Sequence, residues 1–155
     1  MKSPVAAGAA VALAAVALAG CSYVNPITTQ ENYAASDGTQ LQIGEVEALN
    51  LIVVSPGAGE PGTLIGTLHN SADEDIDVQV TFDGETATTV TVPAGMNQQM
   101  GPGDDATEVP GTTEVLPGLL TEVTFTSQVD GTFTVAVPVM DGTLAEYEDV
   151  LEEIG

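Results

Sequence analysis

Beyond Lys2 the chain of 155 residues has no lysine and no arginine. Against this single base stand 23 acidic residues, for a formal net charge of −22. Phosphate recognition needs cations, so DNA and RNA binding are excluded by charge. Adhesion to anionic lipid headgroups is disfavoured for the same reason. There is one cysteine, so no disulfide can form within the chain. Tryptophan is missing and aromatics make up 4% of the sequence, which leaves little to stack a sugar ring. One histidine, His69, is present. With no G-x-S-x-G elbow beside it, a serine triad is not expected.

What is present is apolar and β-branched. Hydrophobic residues are 43% of the chain, too many for a disordered polyanion. The first dense apolar stretch is residues 5–18, built from Ala, Val, Leu and Gly behind Lys2. It is shorter than the ~20 residues of a spanning helix and ends in small residues, the pattern of a secretory signal. Its end, Leu18-Ala19-Gly20-Cys21, resembles the lipobox of bacterial prolipoproteins. That resemblance implies cleavage between Gly20 and Cys21. It also implies a diacylglycerol thioether on the Cys21 sulfur, with palmitate-type acyl chains holding the product on the outer face of the cell membrane. Residues 1–20 are then the leader and residues 21–38 a lipidated tether, polar and marked by Pro26 and the turn Ser36-Asp37-Gly38.

Residues 39–140 read as one β-sandwich domain. Leu41 and Ile43 alternate with polar neighbours. Residues 49–55 form an unbroken apolar run, as in a strand covered on both faces. Residues 63–70 are a further strand. Ile76, Val78, Val80 and Phe82 alternate with Asp77, Gln79 and Thr81, a half-buried strand that ends at the hairpin signal Asp83-Gly84. Residues 86–92, 119–126 and 133–139 follow, with Pro138 marking an edge or a bulge in the last. Residues 93–111 are rich in Pro, Gly, Met, Gln and Asp and read as a long irregular loop. Seven or eight short strands with frequent turns predict an all-β, immunoglobulin-like or cupredoxin-like sandwich. In the acidic residues 141–155, Thr143 and Glu146 have capping-box spacing, and Leu144, Tyr147, Leu151 and Ile154 recur at helical intervals. A short, frayed, solvated tail helix is expected there.

Four groupings are candidates for chemistry. Residues 57–62 fit G-x-G-x-x-G, which would make a nucleotide-dependent enzyme only if a helix followed. The following residues have a strand pattern, so the segment reads as a hairpin connection. Asp73-Glu74-Asp75 with Asp77, and Asp104-Asp105 with Glu108, offer hard oxygen ligands but lack an EF-hand pattern, and read as solvated turns. His69, Met96 and Met100, with Met140, are soft donors suited to Cu(I). Paired carboxylates of the glycosidase kind are inevitable among so many acids and identify nothing.

The segments Gly66-Thr67-Leu68-His69-Asn70-Ser71-Ala72-Asp73-Glu74-Asp75, Val109-Pro110-Gly111, Leu116-Pro117-Gly118-Leu119-Leu120 and Gly131 through Val139 resemble the PCu(A)C-type periplasmic copper chaperones, including actinobacterial envelope lipoproteins of that pattern. The resemblance spans residues 41–140 and implies a cupredoxin-like sandwich that handles copper. The family's ligands are a His-Met pair, a further Met and a distal His-x-Met. Here Met100 corresponds to the middle Met, whereas Gly111-Thr112-Thr113-Glu114-Val115-Leu116 stands where the distal pair belongs. Without catalytic residues, the expected function is a membrane-anchored, non-enzymatic binding module of the envelope, a monomer kept apart by its charge. Its expected partners are the membrane through Cys21 and a basic envelope protein or a cation. The alternative is a copper protein with an atypical site at Met96, Met100 and His69.

Overall fold

The computed structural model describes residues 36–82 and 86–154. The expected leader, the expected cleavage site at Gly20 and Cys21, the expected lipidation of Cys21 and the expected turn at Asp83-Gly84 lie outside them.

Nine strands form, in the chain order β1 (Thr39–Ile43), β2 (Val46–Val54), β3 (Pro61–Asn70), β4 (Ile76–Thr81), β5 (Thr88–Val92), β6 (Asn97–Met100), β7 (Pro110–Thr112), β8 (Leu120–Ser127) and β9 (Gly131–Met140). One helix, α1 (Ala145–Ile154), closes the described chain. The path of hydrogen-bonded strands runs β5-β4-β8-β9-β2-β3-β6. All its pairings are antiparallel except β2 with β9, which meet in parallel only at Val53–Val139 and Val54–Met140. This short parallel junction joins two antiparallel layers. Pro138, which has no N–H to donate, directly precedes it. Before Val139 that edge of β9 is paired with no described strand; Ala136 O accepts the Thr39 hydroxyl at 3.0 Å instead.

The β2–β3 hairpin is the spine of one layer. Its two outer edges are each filled by two strands placed end to end, β9 reaching β2 only with its last two residues. Along β2, β1 occupies the first half and β9 the second. Along β3, β7 pairs with residues 61–63 and β6 with residues 66–69. The register of β2 shifts between Leu49 and Ile52, where Asn50 takes a positive φ of 52°. Asn tolerates that conformation better than most residues, and its Oδ1 accepts the Gly38 amide at 3.2 Å.

Between the layers lies a valine-rich core. Val78, Val80, Val90, Val92, Val123, Phe125, Val137 and Val139 face Ile43, Val46, Leu51, Val53, Leu64 and Leu68, all fully buried. Each such side chain contributes about 1.5–3 kcal/mol relative to exposure. The period-two pattern of residues 76–82 is realised in β4, with Val78 and Val80 inward and Asp77 and Gln79 outward. On the outer face of the β8–β9 pair, Thr124 bonds Thr134 at 3.1 Å and Thr126 bonds Thr132 at 3.2 Å.

Two elements differ from the sequence expectation. Residues 93–111 contain β6 and β7, which raises the strand count to nine. Asn97-Gln98-Gln99 has no apolar alternation, and only pairing with β3, about thirty residues earlier, makes it a strand. The tail helix is docked rather than solvated. Tyr147 packs with Ile52 and Val54, and Ile65, Met140, Val150 and Leu151 join them in a second apolar cluster. The unbroken run in β2 is thereby explained: Leu51 and Val53 face the main core, Ile52 and Val54 face the helix. Nor does the capping box expected at Thr143 and Glu146 form: Leu144 O accepts the Tyr147 and Glu148 amides, and Thr143 turns back to Asp141. The Thr143 amide donates to Asp141 Oδ1 at 3.0 Å, and its hydroxyl also bonds that carboxylate, which holds Asp141 below the usual carboxylate range.

Candidate functional site

His69 lies near the end of β3, opposite Glu47 on β2 and Asn97 on β6. Its ring is half-buried, and Nδ1 is 2.7 Å from Asn97 Oδ1. A carbonyl oxygen only accepts, so Nδ1 donates in this pair, and in the neutral ring the lone pair then sits on Nε2. Nε2 has no hydrogen-bond partner among the described residues. An imidazole fixed through one nitrogen to an amide oxygen, with the other nitrogen free, is the arrangement that metal-binding histidines adopt.

Met96 stands one residue before β6. The turn that delivers it is tied down by Met96 N to Pro93 O at 3.1 Å, Gly95 N to Ala72 O at 3.0 Å and Ala94 N to Asp75 Oδ1 at 2.9 Å. Asn70 N donates to Met96 O at 3.0 Å, so Met96 is carried beside the residue next to His69. Its side chain is 59% exposed.

Met100 goes elsewhere. It pairs with Gly66 at the far end of β6 and is 3% exposed within the main core. His69 and Asn97 share the opposite, outer face, because strand residues three apart point to opposite sides. Met140 lies in the second cluster, under the helix. The structure therefore brings the backbone of Met96 to the His69 end of the β3–β6 ladder, at a position that strand alternation assigns to the face opposite His69, and does not bring Met100 or Met140 there. Among the described residues, no group of three or more His, Cys, Asp or Glu side chains is arranged to hold a metal.

The acidic turns are engaged structurally. Asp75 takes the Ala94 amide and Asp77 Oδ1 takes the Thr91 hydroxyl at 2.6 Å. Inside the same turn, the buried Asn70 donates from Nδ2 to Glu74 O at 2.7 Å and Val92 O at 3.0 Å, while its Oδ1 accepts Ala72 N at 2.9 Å. Sequence reasoning passed over Asn70 and Asn97; an Asn directly after a histidine and beside an acidic turn was the available signal for the first. Asp104 and Glu108 lie on the excursion between β6 and β7.

Residues 57–62 are the β2–β3 connection. Ser55 Oγ donates to Gly57 O at 3.0 Å and Gly59 N donates to Thr113 O at 2.7 Å. The chain then enters β3, a strand where a dinucleotide fold requires a helix. Shallow clefts of about 220 and 410 Å³ share Glu108 and Glu153, and another of about 440 Å³ is lined by Thr81, Phe82, Val115, Leu120 and Glu122. None contains a nucleophile paired with a base. No helix among the described residues is long and apolar enough to cross a membrane.

No family model matches the sequence, and no curated protein sequence matches it. Solved structures do. The chain is similar to a copper-bound PCuAC domain from PmoF2, at 18% identity and a TM-score of 0.50, over 66% of this chain and 98% of that one. It is similar to the apo PCuAC domain from PmoF1, at 13% identity and a TM-score of 0.52, over 66% of this chain and 99% of that one. The apo PmoF2 PCuAC domain gives 18% identity and a TM-score of 0.52, over 68% and 98%. At these identities the likeness establishes the fold: the sandwich is of the PCuAC, cupredoxin-like kind.

Proposed function

We propose that this chain is a lipid-anchored, non-enzymatic binding module of the cell envelope that carries Cu(I) as cargo. Copper handling has more direct support than a general interaction role, since one of the similar solved domains is copper-bound. The observation that carries the reading in this chain is His69, held by Asn97 through Nδ1 with Nε2 unengaged, at the end of the ladder where Met96 is exposed. Imidazole and thioether are soft donors that suit Cu(I), and a pair of them suits a cargo that is handed on. Met100 and Met140 do not fit the site, because both are packed in apolar clusters. The carrier role and the site differ here from what the PCuAC resemblance implies: two ligands replace the larger set. A thioether on Cys21 places the module outside the cytoplasm. A protein without base after Lys2 attracts cations, which suits a metal carrier.

Anaerobic competition of the full chain with a Cu(I) chelator tests the assignment. One Cu(I) per chain is expected. His69→Ala and Met96→Ala should each weaken binding by about tenfold or more, the scale of a lost ligand contact. Met100→Leu should leave it unchanged. Binding that survives the double variant would refute the site. No binding by the wild type would leave a metal-free interaction module, its partner to be sought by crosslinking on native membranes.

A further inference from the structure

Helix α1 carries Glu146, Glu148, Asp149, Glu152 and Glu153 and no basic residue. Glu148 with Glu152, and Asp149 with Glu153, stand four apart, so each pair shares a face and repels. Glu152 and Glu153 also sit in the last turn, where the negative end of the helix dipole disfavours anions. Nothing packed against the helix among the described residues offsets this. Glu153 lines one cleft with Glu108 and a second with Glu108 and Asp104. On the other side Asp37 acts on Tyr147, and its negative charge, added to burial, pushes the phenol up. There is no lysine or arginine after Lys2, and the one histidine is bonded to Asn97.

The helix is nevertheless docked, among the described residues by apolar contact alone. Tyr147, Val150 and Leu151 cover Ile52, Val54, Ile65 and Met140. The connection to β9 is four residues, Asp141 to Leu144, so the helix can leave the sheet without disturbing the strands. The two opposing forces respond differently to salt. Apolar burial does not depend on screening, whereas charge repulsion is cut as the Debye length falls from ~30 Å at 0.01 M to ~3 Å at 1 M.

We propose that α1 is a salt-gated cover over the apolar outer face of β2, β3 and β9. In a medium rich in cations the repulsion is screened and the helix stays down. When ionic strength falls, the helix lifts and uncovers the strip formed by Ile52, Val54, Ile65 and Met140. The main core, enclosed between the two layers, is unaffected by this movement. The device is independent of copper, because His69 and Met96 are outside the covered cluster.

Hydrogen exchange of the full chain, read by mass spectrometry at 10 mM and 1 M NaCl, tests it. The amides of residues 147–154 should gain about tenfold or more protection in high salt, while those of β4 and β8 change less. The variant Glu148→Gln, Glu152→Gln, Glu153→Gln keeps every apolar contact and should protect the helix at both salt concentrations. Equal helix protection at the two concentrations would overturn the proposal. So would helix and strands shifting together, or a glutamine variant that keeps the full wild-type response.

Discussion

Single side chains decide how the strand ends are joined. Asn70 is fully buried and satisfies three backbone groups, at Ala72, Glu74 and Val92. No single hydrophobic residue can replace these bonds. Asn70→Ala leaves the Val92 carbonyl buried without this donor and frees the part-buried Glu74 carbonyl, so a loss of about 1–3 kcal/mol is expected in urea unfolding. A loss within ~0.5 kcal/mol would show that water replaces the side chain. The residue scale also shows where reading by type stops. The thioethers of Met96 and Met100 are four apart in sequence and chemically alike. Met96 precedes β6 in a turn and is exposed, while Met100 ends β6 inside the core. Only the position of the strand boundary separates a candidate ligand from core filler. His69 shows the converse: its type marks it as a soft donor, but which nitrogen is free depends on Asn97, 28 residues away.

Among the elements, those with a strong apolar period were legible and those without it were not. The alternation in β4 and the doubly covered run in β2 give both strands directly. β6 and β7 carry no such period and exist because the β3 edge offers unpaired backbone groups. The helix was legible as a helix from the spacing of Tyr147, Leu151 and Ile154, but its docking was not, since that depends on the outward face of β2. Tyr147 reports on this docking. Burial foremost, then Asp37 and Glu146, push its phenol above the ordinary value near 10. A group with a raised folded value contributes stability that is fully present below the unfolded value and is lost as pH rises through the folded one. Above about pH 10 the wild type should therefore lose stability that Tyr147→Phe retains. Urea midpoints at pH 8 and pH 11 check this; equal losses in the two proteins would place the phenolate outside the interface.

For the whole molecule, charge and anchorage go together. On the proposed lipid anchor, anionic headgroups would repel a body with only one Lys or Arg in the chain, and electrostatics would not hold it on a membrane. Two acyl chains would, at ~0.8 kcal/mol per buried CH₂. The native protein should therefore pellet with membranes, dissolve in detergent and carry a diacylglycerol mass on Cys21, whereas Cys21→Ser should be free of the membrane. An unmodified thiol in the native protein would remove the anchor from the account. The amino-acid sequence by itself determined the β class, the inward valines and the absence of an internal disulfide, because period and cysteine count act locally or by summation. The tertiary structure alone decided that a polar stretch becomes two edge strands, that the acidic tail covers a sheet, and that Met100 lies in the core away from His69. Each of these depends on backbone groups or surfaces supplied by segments far away in the chain, and no local pattern records what a distant strand leaves unpaired.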